Sequence, residues 1–151
     1  VATGLVGSGW LHKLATDEKL HLPIIHHPAY SGGFVSPGLS GIADYLQLGF
    51  LPRLFGADMM VFVSYGGRFT FTQEQCKRIA AYIKHPVGLV KAGCPAPGGG
   101  VTDARLTELV ELYGNDTMFL VGGDMFRRGP DLESNMAYFI NRLNELSQLK
   151  K

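Results

Sequence analysis

VGLVKAGCPAPGGGV, residues 87–101, and TMFLVGGDMF, residues 117–126, decide how this chain is read. Each is an apolar run that stops at adjacent glycines, as a buried parallel strand does when it delivers bare backbone N–H groups at its C-terminal end. For any one glycine pair a tight turn is explanation enough. The repetition asks for more, because Gly32 and Gly33 follow PIIHH, and Gly66 and Gly67 follow MMVFV. Bare N–H groups with a helix starting just beyond them form a site for an anion, and a phosphate is the usual guest.

Outward from this stretch the chain repeats a β-α unit of roughly 30 residues. VATGL at the start reads as the end of a strand already under way, which points to a fragment or a processed product. Ser8 is placed to cap a helix that turns Trp10, Leu11 and Leu14 inward. Ile24 to His27 is a strand, and the loop PAYSGGFVSPGLSG after it is long for a βα connection, which marks it as functional or mobile. Ser40 could cap a helix over Ile42 to Leu48, with a break near Gly49 and Pro52 in the first turn of a second piece. Met59 to Val63 is the next strand. Thr72 with Gln75 is a capping box for a helix whose stripe is Cys76, Ile79, Ala80 and Ile83, ended by Pro86.

Val87 to Lys91 is predicted as a strand and Cys94 to Gly100 as its loop. Thr102 stands as N-cap before Leu106, Leu109, Val110 and Tyr113, and Gly114 is in the place of a C-terminal cap. Thr117 to Val121 is the last strand. Asp131 opens a helix expected to bury Leu132, Met136, Phe139, Ile140, Leu143 and Leu146, with Lys150 and Lys151 at its negative end. Continuous apolar strands with amphipathic helices between them give an α/β fold with a parallel sheet. Two architectures fit: strands four to eight of a (β/α)8 TIM barrel, or a flavodoxin-like open parallel sheet. Glycine-rich loops at every strand end favour the barrel, since an open sheet gathers its ligand chemistry at one switch point.

Composition narrows the class. The 151 residues suit one domain, and an apolar fraction of 46% is that of a globular core. A net charge of +1, with both signs interspersed, gives no electrostatic footprint for nucleic acid or an anionic membrane. No apolar run reaches the length of a bilayer span, so a soluble, cytoplasmic protein is expected. Cys76 and Cys94 form neither a disulfide framework nor a metal spacing, and Cys94 reads as a small buried thiol rather than a nucleophile.

HHPAYSGGF, FGADMMVF and PAPGGGVTDARLTELVELYGNDTMFLVGGDMF, in that order and spacing, resemble the C-terminal barrel of the ribulose bisphosphate carboxylase (RuBisCO) large chain. The likeness is strongest to the non-carboxylating branch, the RuBisCO-like proteins, and covers residues 1–151 from the fourth barrel strand to the helix after the eighth. The resemblance implies that the N-terminal domain and first barrel strands lie outside this chain. It implies a phosphorylated small-molecule substrate, an enediolate formed on Mg2+, and a homodimer. Gly99, Gly100, Gly122 and Gly123 are then the phosphate cradle. The family's metal ligands lie on its second strand, which nothing here matches, so no metal ligand is assigned in this chain.

The departures are informative. Pro28 follows His27 where the carboxylase has an arginine for its second phosphate, MMVFV has no counterpart of the strand-six histidine, and Gly98 replaces a serine. Carboxylation of ribulose bisphosphate is therefore not expected. Relatives in this branch act on monophosphates, by enolising or isomerising methylthio-sugar phosphates in methionine salvage or by decarboxylating 3-oxo-isoapionate 4-phosphate. The loops SYGGRF and GLVKAGCPAPGGG lean toward the sugar-acid group. A stand-alone flavodoxin-like phosphate-binding module is the remaining alternative.

Among polar residues, His27 is expected to point into the site and move a proton or bond a substrate hydroxyl, with His26 facing the other way in a structural role. Lys91 at a strand end and Arg68, at the place of the carboxylase's mobile lysine, are the cations that could stabilise an enolate or a carboxylate. Asp124, next to the glycine pair, should turn away from a phosphate, and Arg127 and Arg128 read as surface charges. Asp44, Asp58, Asp103 and Asp116 lie in or beside helices and are not expected to converge on a cation.

Overall fold

The computed structural model describes residues 1–35 and 41–148. The expected cap Ser40 and the terminal Lys150 and Lys151 lie outside the described residues. Three parallel strands, β1 (Ile25–His26), β2 (Met59–Val63) and β3 (Cys94–Gly98), pair in that order. Ile25 stands opposite Met59, and Met59 opposite Cys94. Each edge of the sheet is extended by a single residue. Val1 donates its amine to the Ile25 carbonyl and accepts from the His27 N–H at 2.9 Å, and Leu120 bridges Gly98 in parallel. The strand end expected in VATGL is thus one residue long, because the chain turns at once into α1 (Thr3–Val6) and α2 (Ser8–Ala15).

The third strand lies further along than expected. Val87 to Lys91 is no strand: Val87 and Val90 exchange backbone hydrogen bonds of 3.1 and 2.9 Å in a tight hairpin, with Leu89 fully exposed at its tip. The strand is Cys94–Gly98, through the segment expected to be a loop. Its two prolines are tolerated because both face one edge. Cys94 N–H donates to Asp58 O and Gly98 O accepts from Ser64 N–H, each at 2.8 Å, so these residues address β2. Pro95 and Pro97 address the other neighbour, where their carbonyls accept from Met118 at 2.9 Å and Leu120 at 3.0 Å. The donors they lack are missing only on that side. This is why Thr117 to Val121 pairs through a bridge at Leu120 and is not a full strand.

The helices α3 (Gly32–Val35), α4 (Leu51–Leu54), α5 (Gln73–Lys84), α6 (Leu106–Tyr113), α7 (Gly123–Arg127) and α8 (Leu132–Gln148) complete the described order. Instead of a break at Gly49, a π-helical turn at Leu46–Phe50 runs straight into α4, with Pro52 in its first turn. Gly49 is buried against α5, where a β-carbon would stand 3.2 Å from the Ile79 carbonyl oxygen. The capping box of α5 forms as expected: Gln75 N–H donates to Thr72 Oγ1 at 3.2 Å and Thr72 N–H to Gln75 Oε1 at 2.9 Å. Its stripe Cys76, Ile79, Ala80 and Ile83 is buried, as are Leu106, Leu109, Val110 and Tyr113 of α6.

Two helices bury less of their apolar stripes than expected. In α2 Leu11 is buried, but Trp10 is exposed under the Lys13 ammonium at 4.7 Å, and Gly7, not Ser8, is the N-cap. In α8 Phe139 and Leu146 are buried, whereas Leu132, Met136 and Ile140 are exposed. Asn135 of α8 is buried and donates to the carbonyls of Met125 at 3.0 Å and Gly129 at 2.9 Å.

The two faces of the sheet differ. Met60 and Phe62 of β2 are fully buried on the face that meets α5, while Val61 and Val63 are half-buried and border a cavity. A doubly wound open sheet would bury both. The arrangement is part of a (β/α)8 barrel, with helices outside and the barrel interior on the cavity side. Among the described residues no helix is long and apolar enough to cross a membrane.

Candidate functional site

The C-terminal ends of the strands open onto a cavity of about 1150 Å³. His27 enters it from the end of β1, Arg68 from the loop after β2, Gly99 and Gly100 from the loop after β3, and Gly122 and Gly123 from the turn into α7. Of the catalytic and phosphate-binding residues assigned from the sequence, Lys91 does not join this group. It precedes β3, at the opposite end of the sheet, because the strand begins at Cys94 and not at Val87. Its carbonyl is held there by Arg53.

His27 and His26 diverge because side chains alternate along a strand. His27 Nδ1 accepts the Ala29 N–H at 3.2 Å, so the neutral ring carries its proton on Nε2, the nitrogen left to meet a ligand. His26 is fully buried on the helix side, with Nε2 2.9 Å from Thr3 Oγ1. Its Nδ1 has no hydrogen-bond partner among the described residues. Burial, then the positive N-terminus, then His27 lower its pKa from 6.5 to about 4.

Arg68 makes no ion pair among the described residues; its guanidinium carbon lies 4.8 Å from the Phe69 ring centre. A cation so placed is available to an anion entering the cavity. Gly99 and Gly100 have φ of +76° and +72°, a region that favours glycine. Their surroundings differ from those of the second pair. A β-carbon on Gly100 would lie 2.8 Å from Gly67 N, whereas one on Gly122 would meet nothing within 4 Å and one on Gly123 only Arg127 Nη1 at 3.8 Å. The cradle is therefore closed by protein behind Gly100 and open at Gly122 and Gly123. Phe69, Phe71, Phe119 and Met136 give the cavity an apolar wall. Tyr30 stands at its mouth with φ of +64°, a conformation no local sequence signal announces.

The acidic residues are occupied elsewhere. Asp124 turns from the cradle, accepting the Asp103 N–H at 2.8 Å and pairing with Arg127 at 2.9 Å, contacts that hold its pKa below the usual value. Arg128 stacks on Tyr138 at 3.4 Å. Asp44 receives Gln75 at 3.0 Å and Arg78 at 3.2 Å, Asp58 the Ile24 N–H at 2.7 Å, and Asp103 the Tyr138 hydroxyl at 2.8 Å. Among the described residues no three His, Cys, Asp or Glu side chains come together as a metal site. Among the described residues these carboxylates are taken up by protein donors and do not converge on a cation. Cys76 is buried and donates to the Val63 carbonyl at 3.3 Å, and Cys94 lies at the far end of β3 from the cradle. Arg105, which the sequence reading passed over, binds the loops after β2 and β3 together.

No family model matches the chain. It is 36% identical to ribulose bisphosphate carboxylase-like protein 1 of Rhodopseudomonas palustris, over 89% of this chain and 35% of that protein. It is also 36% identical to the 5-methylthioribulose-1-phosphate isomerase of Rhodospirillum rubrum, over 71% of this chain and 29% of the isomerase. Among solved structures, a RuBisCO-like protein from Alicyclobacillus acidocaldarius superposes with a TM-score of 0.85 at 28% identity, over 95% of this chain and 36% of that one. The chain thus spans about a third of the length of the relatives it matches.

Proposed function

We propose, from the premise that the chain belongs to the RuBisCO large-chain family and covers the C-terminal part of its barrel, that the whole protein is a RuBisCO-like enzyme acting on a phosphorylated sugar or sugar acid through an enediolate. The observation that carries this reading is convergence. The backbones of Gly99, Gly100, Gly122 and Gly123 share one cavity with His27 and Arg68. In this reading the glycine N–H groups bind the phosphate, His27 passes a proton through Nε2, and Arg68 holds the developing negative charge. On this reading a Mg2+ ion would stabilise the enediolate, held by residues matching the family's second barrel strand, which nothing in this sequence matches, and the whole protein would be a cytoplasmic homodimer.

Arg68 favours a substrate acid, because a guanidinium without a carboxylate partner suits a ligand that brings one. This supports decarboxylation of the 3-oxo-isoapionate 4-phosphate type. A second reading, a methylthio-sugar phosphate enolase or isomerase, is supported by the apolar wall of Phe69, Phe71, Phe119 and Met136 and by the relative named as such an isomerase. Assay of the full-length protein on both substrates decides between them. Release of CO2 from the sugar acid, with the higher kcat/KM, upholds the first reading, and turnover of the methylthio compound alone upholds the second. Ribulose bisphosphate should give no carboxylated product, since Pro28 leaves the second phosphate without its arginine. Label from bicarbonate appearing in product would refute that.

A further inference from the structure

Behind the cradle, outside the cavity lining, lies a polar cluster that the proposed chemistry does not use. Arg105 Nη1 donates to the carbonyl of Tyr65 at 2.8 Å and to that of Gly100 at 2.9 Å. Its guanidinium carbon sits 4.5 Å from the Tyr65 ring centre, and its Nε reaches Glu108 at 3.4 Å. The Tyr65 hydroxyl donates to the same carboxylate, and Gln73 donates to that hydroxyl at 3.2 Å. The two loops that Arg105 joins touch backbone to backbone. A β-carbon on Gly67 would stand 3.0 Å from Gly100 N, and one on Gly66 2.7 Å from Arg105 Nη1. No side chain fits between them, and Arg105 bonds to both loops at this point of contact.

One of these loops carries Arg68 and the other carries Gly99 and Gly100. We infer that Arg105 is a positioning residue: by donating from one nitrogen to both loops it holds the Gly99–Gly100 amides in place against the loop that carries Arg68, and so sets the affinity of those amides for the phosphate end of the substrate. The inference rests on the reading of the cavity as a phosphate site. Arg105 itself touches no ligand. Its planar fork makes several directed bonds that a lysine ammonium reproduces in part.

The test uses the full-length protein with inorganic phosphate as probe, comparing wild type, Arg105→Met, Arg105→Lys and the cradle variant Gly123→Ala by calorimetry. A displacement of binding groups from a remote change is strongly felt, so Arg105→Met should weaken phosphate binding about tenfold and Arg105→Lys about threefold. Without ligand, amide exchange over residues 64–69 and 98–101 should quicken in Arg105→Met while the rest of the barrel keeps its protection. Should Arg105→Met fail to fold, Arg105→Lys and Tyr65→Phe carry the same two measurements. Phosphate binding and loop exchange as in wild type would overturn the positioning role alone. If wild type binds no phosphate, or Gly123→Ala binds it undiminished, the cradle reading falls and takes this inference with it.

Discussion

Two arginines stand at opposite ends of one sheet and are held in opposite ways. Arg53, at the N-terminal end of β3, is buried, and its guanidinium donates to the carbonyls of Tyr82, His85, Val90 and Lys91. It clasps the C-terminal end of α5 and the 87–90 hairpin without any carboxylate in the set. Burial draws its pKa down, while the negative end of α5 offsets part of that cost. Arg68, at the C-terminal end, has no such partners among the described residues. Charge at one end is committed to the fold, and on the proposed reading the charge at the other serves a ligand, the division of labour expected between the two ends of a (β/α)8 barrel. The neighbours His26 and His27 repeat the contrast across the sheet.

The largest effect should come from breaking the committed end. Arg53→Met leaves carbonyls of a helix end and a hairpin short of donors and should destabilise the full-length protein by about 3 to 5 kcal/mol in denaturant unfolding. A loss under about 1 kcal/mol would mean that water replaces the guanidinium readily. His26 comes next. Its folded pKa of about 4 lies below the unfolded 6.5, so the unfolded state takes up the proton first. Stability is whole above about pH 6.5 and falls as the pH drops toward 4, because burial disfavours the charged ring. His26→Gln should flatten that slope, and an unchanged slope would place the acid sensitivity elsewhere.

The ligand end should respond in kinetics and not in stability. Arg68→Gln should cost about 1.5 to 3 kcal/mol in kcat/KM, with the melting temperature unmoved. A lowered melting temperature would show that Arg68 belongs to the fold after all. The smallest expected change is Gly123→Ala, whose β-carbon has room in the protein. It should raise KM for the phosphorylated substrate by about 1 kcal/mol, roughly fivefold, and leave a dephosphorylated analogue alone. Equal weakening of both would reduce the pair to a tight turn.

Local signals were legible in the sequence and tertiary ones were not. The capping box of Thr72 and Gln75 and the stripes of α5 and α6 are written in adjacent residues, and they form where expected. So did the alternation that separates His26 from His27. The place of β3 is hard to see in the sequence, since prolines argue against a strand unless both face one edge, as Pro95 and Pro97 do. The place of Lys91 is hard to see for the same reason. On α8 the buried Asn135 is a polar residue that the apolar pattern passes over, while Ile140 stays exposed and Met136 borders the cavity. Arg105 could have been found only from contacts that close across the loops, and no spacing in the sequence encodes them.

The two prolines of β3 also bear on how the chain avoids mispairing. An exposed sheet edge invites any extended segment that both donates and accepts hydrogen bonds, whether from another molecule or from the wrong part of the same one. At Pro95 and Pro97 that edge offers carbonyl oxygens and no donors. A visiting strand would have its own carbonyls left unanswered there at each proline, and slipping by one residue would not help. The 117–121 segment meets the edge with the Met118 and Leu120 amides. The edge is thus a filter on its partner, and replacing either proline with alanine would remove the filter before it improved the sheet.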